Sequence, residues 1–231
     1  MGSPAEEPGR KPDEGPRHEV NVSPFWISET EIPWELYTAF MENGRPRAKD
    51  GQLLEEQPDD ELWDSVTQPT APYTAMNLGM GHGYEHGLPA ISMSHHAASK
   101  FCEWLSAQTG HYYRLPTEAE WEDACRAGNP GAYSYGNGEE ALDQYAWYWD
   151  NSNDRYQKTG SKKPNKWGLR DMHGNVAEWV LDSYLPDAYG KRDGQPAKDP
   201  LVIAPKAPHV VRGGSWEDDP DRLRSAARRA S

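Results

Sequence analysis

Three short motifs in the second half of the chain constrain its fold more than any other feature of the sequence. They are RLPTEAEWE at residues 114–122, GLRDMHGNVAEW at 168–179 and VRGGSW at 211–216. The first motif contains a helix start, because a threonine followed three residues later by a glutamate forms a capping box. The other two place glycines, which permit tight turns and close backbone approach, beside tryptophans. Chance would rarely supply all three, so the motifs indicate one defined scaffold.

Residue periodicity predicts short helices and short strands. Apolar residues recur at helical spacing over 92–108, and Gly110 follows as a stop signal. A second helix is predicted over 33–42, and a third begins at the capping box and ends at Gly128. Residues 18–28 alternate and are rich in valine and aromatic side chains, which is typical of a strand. Further short strands are predicted at 133–135, 179–181 and 210–212. These elements predict an α+β fold.

The composition favours a loop-rich domain with an aromatic core. The chain of 231 residues has 21 glycines and 20 prolines, which favour turns, and its 10 tryptophans and 12 tyrosines bury much area per residue. Residues 44–90 show little periodicity, and a loop of that length inside a domain is usually functional or disordered. No internal repeat is evident, so we predict a single domain over 1–231.

Charge and cysteine content exclude several classes of protein. A net charge of −13 repels nucleic acids and anionic membrane surfaces, and it suits solubility or the binding of divalent cations. No apolar run is long enough to insert in a membrane. The two cysteines, Cys102 and Cys125, lie on apolar stripes of predicted helices and do not form a disulfide framework. We interpret them as buried free thiols, with a single bridge between them as the alternative.

The turn in the second motif predicts a calcium site. Asn175 and Glu178 place an amide oxygen and a carboxylate three residues apart beside Gly174. Calcium collects several oxygen ligands from such side chains and from backbone carbonyls, here those of Gly174 and Val176. The structural alternative is that Asn175 caps a turn while Glu178 pairs with an arginine.

Four other clusters have a structural interpretation that outweighs the functional one. The histidines in 82–86 and 95–96 suggest zinc ligands. Glycines make a helix unlikely over 82–86, however, and the side chains of two adjacent residues at a helix start, as at 95–96, point in different directions. The glutamates in 118–122 are explained by capping and by the helix dipole rather than by acid–base catalysis. The aromatic rings in 145–149 could stack on a sugar, although core packing explains them equally simply.

The three motifs, together with DEGPRHEV at 13–20, resemble the sulfatase-modifying-factor family, whose type member is the formylglycine-generating enzyme. The resemblance covers nearly the whole chain. It implies a C-type lectin-like fold with two main helices, small twisted antiparallel sheets and extensive ordered loops. It also implies calcium at the segment that matches 174–178, and a second calcium at the loop that contains Asn151 and Asp154.

The resemblance does not extend to the family's known chemistry. The type enzyme oxidises a sulfatase cysteine with copper and two cysteines that follow the third motif. The corresponding segment here, 217–225, contains no thiol, and thiolate is the soft ligand that Cu(I) requires. We therefore predict a calcium-stabilised, noncatalytic domain without copper that acts as a protein- or ligand-binding or assembly module. The alternative is a formylglycine-generating-type oxidase acting on a protein cysteine, with its catalytic residues replaced or outside this segment.

The two ends of the sequence lead to expectations about missing segments, partners and location. Met1 resembles the interior of the family's first strand region, and the family's final strand has no counterpart before Ser231. We therefore expect the first and last strand segments to be missing, and a partner chain could cover the resulting edge. A protein or glycan partner, or a place as a subunit of a larger assembly, fits this reading. The resemblance to secreted bacterial members favours an extracytoplasmic location.

Overall fold

The structure, a computed structural model, describes residues 1–42, 85–190 and 196–231. The chain forms two compact units, one made of Met1–Glu31 with Leu115–Ser231 and the other of Ile32–Arg114. Most of the predicted loop over 44–90 lies outside the described residues. The single domain over 1–231 stays a prediction. Within the described ranges, every helix is too short or too polar to cross a bilayer.

The unit Ile32–Arg114 contains two helices, α1 (Trp34–Met41) and α2 (His95–Thr109). Both were predicted from periodicity and are confirmed. Ser94 caps α2 through its side-chain oxygen, and Gly110 ends the helix in the left-handed conformation at φ 73°. Aromatic rings of α1 pack around Phe101 of α2, the nearest with centroids 5.5 Å apart. The aromatic side chains therefore supply the core of this unit, as the composition indicated.

The helix of the first motif, α3 (Glu118–Arg126), begins at the predicted capping box. The hydroxyl of Thr117 accepts the N–H of Glu120 at 3.2 Å, and the Glu120 carboxylate accepts the N–H of Thr117 at 2.8 Å. The helix ends slightly before the predicted Gly128. Ala127 already adopts the left-handed conformation at φ 46°, with Gly128 at φ 80° behind it.

Two small sheets complete the unit made of Met1–Glu31 and Leu115–Ser231. Strands β1 (Val20–Asn21) and β3 (Ala197–Lys198) pair in parallel. Strands β2 (Glu178–Ser183), β4 (His209–Arg212) and β5 (Arg229–Ala230) form an antiparallel sheet in the order β2-β4-β5. A register shift interrupts the β2–β4 pairing. The fold class is thus the predicted α+β arrangement of few helices and small sheets.

The strand predictions succeed in part. The two over 179–181 and 210–212 are confirmed by β2 and β4. The strand over 18–28 shrinks to β1, because its pairing with β3 ends at Asn21. The strand over 133–135 reduces to one bridge between Tyr133 and Gly136, which close a tight turn through two hydrogen bonds. The small sheet of β1 and β3 is parallel, whereas the resemblance implied antiparallel sheets.

The core of this unit centres on Trp121 of α3, which is fully buried. The residues packed with it are Ala124, Cys125, Leu169, Met172, Val180 and Val210. A second cluster forms around the short helix α4 (Leu142–Tyr145) and contains Leu142, Tyr133 and Leu223. Each of the three sequence motifs contributes to one of these clusters or to the turns beside them. The motifs therefore act first as packing elements.

Candidate functional site

The GNVAEW segment forms a turn with two successive left-handed residues, Gly174 at φ 95° and Asn175 at φ 58°. A Cβ on Gly174 would collide with the carbonyl oxygen of Trp147, so the position requires glycine. The N–H of Asn175 donates to that same carbonyl at 2.8 Å, and the carbonyl of Asn175 accepts the N–H of Trp216 at 2.8 Å. The turn thus joins the second motif to the third.

The side chain of Asn175 is buried and ties together segments that are distant in sequence. Its Oδ1 accepts the N–H of Gln157 at 2.8 Å. Its Nδ2 donates to the Glu31 carboxylate at 2.9 Å and to the Gln157 carbonyl at 3.1 Å. The predicted turn role of Asn175 is therefore present, and it extends to holding Glu31 in place. One lone pair of Oδ1 remains available beside the turn.

Glu178, the other side chain of the predicted calcium site, is held by a tryptophan rather than an arginine. Its Oε2 accepts the indole N–H of Trp121 at 2.8 Å. Burial raises the pKa of Glu178 to about 7, and the nearby charge of Asp171 contributes to the rise. The alternative of an arginine partner for Glu178 is wrong among the residues that the structure describes.

Two carboxylates that sequence reasoning missed, Glu31 and Asp171, lie beside this turn. Burial raises the pKa of Glu31 well above its usual range, and the charges of Asp171 and Glu178 raise it further. Burial also raises the pKa of Asp171, whose Oδ1 is buried without a hydrogen-bond partner in the described ranges. Buried carboxylates whose charges raise the pKa of a neighbouring carboxyl form an environment that favours a cation.

The glutamates of the first motif serve a network of buried ion pairs. Glu118 forms a bidentate pair with Arg228, with both N–O distances at 2.8 Å. Glu122 pairs with Arg212 at 2.6 Å and with Arg126 at 2.9 Å. Helix-dipole stabilisation alone, the sequence-based explanation, does not account for carboxylates that are buried and paired. Since their oxygens are engaged with guanidinium groups, an acid–base role for them is disfavoured.

The segment 217–225 after the third motif is built into the fold by its side chains. Leu223 is fully buried in the second core cluster. Arg224 pairs with the buried Glu14 through two hydrogen bonds of 2.6 and 2.7 Å. Asp218 accepts the hydroxyl of Ser215 at 2.7 Å. The side chains of this segment are therefore buried in the core or held in ion pairs, at the position where the resemblance places the cysteines of catalytic members.

A comparison with known protein families identifies the scaffold. The family described as "Sulfatase-modifying factor enzyme 1-like domain" matches residues 1–231. The chain belongs to this family. The resemblance inferred from the three motifs is therefore confirmed over the full length of the sequence.

Relatives of this sulfatase-modifying-factor chain differ in their activities and lengths. Serine/threonine-protein kinase pkn1 of Chlamydia pneumoniae is 36% identical over 140 residues, which are 61% of this chain and 21% of the kinase. The formylglycine-generating enzyme of Streptomyces coelicolor is 28% identical over 93% of this chain and 76% of its own length. The mouse protein named inactive C-alpha-formylglycine-generating enzyme 2 is 26% identical over 96% of this chain and 72% of its own length. This chain thus spans about a fifth of the kinase.

Among solved structures, PvdO from Pseudomonas aeruginosa is similar with a TM-score of 0.75 and 27% identity. The match covers 100% of this chain and 84% of that one. The family fold predicted from the motifs is therefore confirmed by a structure as well as by sequence.

The donor set at the GNVAEW turn fits calcium. The carbonyl oxygens of Gly174 and Val176 and the second oxygen of Glu178 receive no hydrogen bond from the described residues. Carbonyl and carboxylate oxygens are the ligands that calcium prefers. No three acidic, histidine or cysteine side chains of the described ranges are grouped closely enough to hold a metal by themselves. An ion here would therefore be held by backbone carbonyls with Glu178, while Asp171 adds charge.

The second predicted calcium loop fits less well. The Oδ1 of Asn151 accepts the N–H of Tyr148 at 2.9 Å, and its Nδ2 donates to Asp143 at 3.1 Å and to the carbonyl of Ala146 at 3.0 Å. Asn151 thus holds a turn of its own. Asp154 is exposed and lies in the left-handed region at φ 55°. A calcium at Asn151 and Asp154 stays a prediction.

Neither cysteine lies in the segment 217–225, where the resemblance places the cysteine pair of the catalytic members. Both are free thiols. Cys125 is fully buried, and burial raises its pKa to about 12, so it holds its proton at neutral pH. Its neighbour His173 is engaged, since its Nδ1–H donates to the Leu223 carbonyl at 2.7 Å while its Nε2 accepts the N–H of Ser134 at 3.0 Å. Burial lowers the pKa of His173 to about 4, so the ring is neutral.

The remaining candidate clusters carry structural contacts or fall outside the described ranges. His82 lies outside them, and His86 is within 3.4 Å of Glu35. The indole N–H of Trp147 donates to Ser161 at 2.7 Å, and a lysine side chain lies over its ring. Trp149 remains 55% exposed. In the aromatic segment 145–149, Trp149 is therefore the most exposed ring, while Tyr145 and Trp147 are half-buried.

Proposed function

We propose that this chain is a noncatalytic sulfatase-modifying-factor domain, stabilised by calcium, that serves as a binding or assembly module. One observation carries the proposal. The segment 217–225 has no thiol, and its side chains are committed to the core and to ion pairs, with Leu223 fully buried and Arg224 bound to Glu14. The mouse relative named as inactive indicates that family members without this activity exist.

Calcium would act on structure rather than on chemistry in this proposal. The ion would be held by Glu178 and by the carbonyls of Gly174 and Val176, at a turn beside which Glu31 and Asp171 lie. Its charge would offset the mutual repulsion of these carboxylates, which otherwise raises the pKa of Glu31. Stabilising this turn would stabilise the contact between the second and third motifs, since Asn175 accepts the N–H of Trp216.

A binding role is supported by aromatic side chains that the fold leaves on the surface. Trp26 is fully exposed, and Trp167 is 55% exposed. Large aromatic residues dominate the energetics of protein interfaces and are costly to leave in water. A protein partner, a glycan or a larger assembly would each bury such rings. Size-exclusion chromatography with light scattering separates a monomeric binder from an assembly subunit.

The test is oxygen uptake with a cysteine-containing peptide in the presence of copper, followed by mass spectrometry for the aldehyde. The positive control is a formylglycine-generating enzyme that carries the cysteine pair. We expect no uptake above the copper background and no aldehyde from this chain, because the segment 217–225 has no thiol and burial raises the pKa of both Cys102 and Cys125. Turnover comparable to the control, with aldehyde in the peptide, would overturn the proposal and favour the oxidase alternative.

A further inference from the structure

A backbone segment without hydrogen-bonded partners among the described residues follows β1 in the unit made of Met1–Glu31 and Leu115–Ser231. The strand pairing with β3 ends at Asn21, and the Asp199 carboxylate then accepts the N–H of Ser23 at 2.6 Å. From Phe25 to Ser28, no backbone N–H or carbonyl is hydrogen-bonded to a described residue. Backbone groups without protein partners are a template on which another chain can pair.

The side chains of this segment alternate as those of a strand do. Phe25 and Ile27 pack against the core cluster around Trp121, whereas Trp26 between them is fully exposed. Successive strand residues point to opposite faces, so this pattern has the period of a strand. The sequence-based strand over 18–28 therefore predicts the side-chain pattern correctly, and what the segment lacks is a hydrogen-bonded partner strand in the part of the chain that the structure describes.

A groove of about 580 Å³ runs beside the segment. Its walls include residues 22–27, Ala124 of α3 and the loop at Trp167, whose ring is 55% exposed. Among the described residues, the charged side chains that line the groove are the carboxylates of Glu29 and Asp123, without a lysine or an arginine. This volume lies in the range that binding clefts commonly have.

The charge of the groove identifies the kind of occupant. Asp123 forms no ion pair or hydrogen bond through its carboxylate with a described residue, and Glu29 meets Arg170 at 3.3 Å on one oxygen. Exposed tryptophan rings attract cations through their faces, and carboxylates attract them directly. A basic side chain satisfies both features, whereas an acidic one would be repelled.

We propose that this groove binds an extended, basic segment of a partner protein. The segment would pair its backbone with residues 25–28 and place a lysine or arginine side chain against Trp26, Trp167 and Asp123. Strand addition supplies affinity through the main chain, and pockets for alternate side chains supply specificity. The inference names a partner class for the binding role proposed above and rests on that role.

A glycan is the competing occupant, since sugars also stack on tryptophan. The unpaired backbone row favours the peptide, because it offers donors and acceptors at strand spacing that an extended chain matches. The carboxylates alone do not discriminate, since they accept sugar hydroxyls as well. A bound peptide would require both basic side chains and backbone N–H groups, whereas a bound glycan would require neither, and the experiments probe both requirements.

The first experiment selects peptides from a random octapeptide display library on the full chain, with counter-selection on the Trp26→Ala variant. We expect the selected peptides to be enriched in lysine and arginine and to lack proline at their central positions. Affinities of synthetic versions are then measured by fluorescence anisotropy. We expect binding to weaken at least tenfold when alternate backbone nitrogens of the peptide are methylated, since methylation removes the pairing N–H groups.

Matched variants locate the binding site. Trp26→Ala should weaken binding about tenfold, and Asp123→Asn should weaken it about threefold, with a smaller loss in high salt. The controls are Trp149→Ala and Asp150→Asn, which remove an exposed ring and an exposed carboxylate that do not line the groove. Both controls should bind as the wild type does. Thermal melts check that all four variants remain folded.

The proposal fails if selection gives no enrichment, if selected peptides are not basic, or if backbone methylation leaves affinity unchanged. It also fails if Trp149→Ala weakens binding as much as Trp26→Ala. A third refuting result is a chain that binds glycans on an array through Trp26 and binds no peptide. These outcomes are separable from failure of the proposed function. A chain that forms no aldehyde but selects no peptide keeps its noncatalytic assignment and loses only this partner.

Discussion

Replacing Glu122 by glutamine tests whether the buried ion-pair network holds this fold together. The Oε2 of Glu122 lies 2.6 Å from Arg212, and both side chains are almost fully buried. The substitution keeps the shape of the side chain and removes its charge. Arg212 then retains the carbonyls of Ser225, Ala226 and Ala227 as partners but loses its closest counterion.

Two estimates of the effect agree. Removing one partner of a buried ion pair costs about 3–5 kcal/mol. Burial by itself would raise the pKa of Glu122, but Arg212 and Arg126 beside it lower the pKa from 4.5 to about 2. A carboxyl with that depressed pKa contributes about 3 kcal/mol of stability at neutral pH. We therefore expect Glu122→Gln to cost about 3 kcal/mol and to lower the Tm by about 6–12 °C.

The assay is urea unfolding of wild type and variant at pH 7 and at pH 3. Because the pKa of Glu122 is depressed by folding, its contribution is complete above pH 4.5 and is lost as the pH falls through about 2. The difference in free energy of unfolding between wild type and Glu122→Gln should shrink from about 3 kcal/mol at pH 7 to about 1.5 kcal/mol at pH 3. The control is Glu29→Gln, which breaks an exposed pair with Arg170 and should cost under about 0.5 kcal/mol. A loss below 1 kcal/mol for Glu122→Gln at pH 7, or an equal loss in the control, would refute the reasoning.

Three further predictions follow from individual contacts. Thr117→Ala removes half of the capping box and should cost about 1 kcal/mol, read as a Tm decrease of about 2–4 °C; an unchanged Tm would contradict it. Cys125 should react with a thiol reagent only after denaturation, because burial raises its pKa to about 12, and fast labelling of the native protein would argue against the packing described. Calcium at a hundred times its Kd should raise the free energy of unfolding by about 2.7 kcal/mol relative to EGTA. The Glu178→Gln variant should show a smaller increase, and the Glu29→Gln variant should show the same increase as the wild type. Equal melting curves in calcium and EGTA would end the calcium proposal.

The helices were predictable because their signals are local. The capping box of Thr117 and Glu120 spans four residues, and Gly110 ends α2 by its own conformational freedom. The residues that form the candidate calcium turn were predictable for the same reason, since Asn175 and Glu178 belong to one short motif. Local sequence thus fixed the start and end of α2 and α3 to within a few residues.

The partners of the turn could not be predicted, because they come from distant parts of the chain. Glu31 reaches Asn175 across 144 residues, and nothing in the sequence around it distinguishes this buried glutamate from the glutamates that lie on the surface. Asp171 lay inside a recognised motif, and its position three residues before Gly174 was the one signal that could have identified it. The strand over 18–28 failed for a related reason, since a strand also needs a partner that its own sequence does not specify.

The motifs that identify the family describe its fold more than its chemistry. Glu118 of the first motif holds Arg228, Glu122 holds Arg212 of the third motif, and Arg224 holds Glu14 near the start of the chain. These contacts fix both ends of the segment 217–225 without using the side chains of 217–222. Chemistry carried by residues 217–222 can therefore be lost while the domain still folds, since these three ion pairs do not involve their side chains. For this chain, recognition of the family establishes the scaffold, and the function must be argued from the surfaces that the scaffold presents.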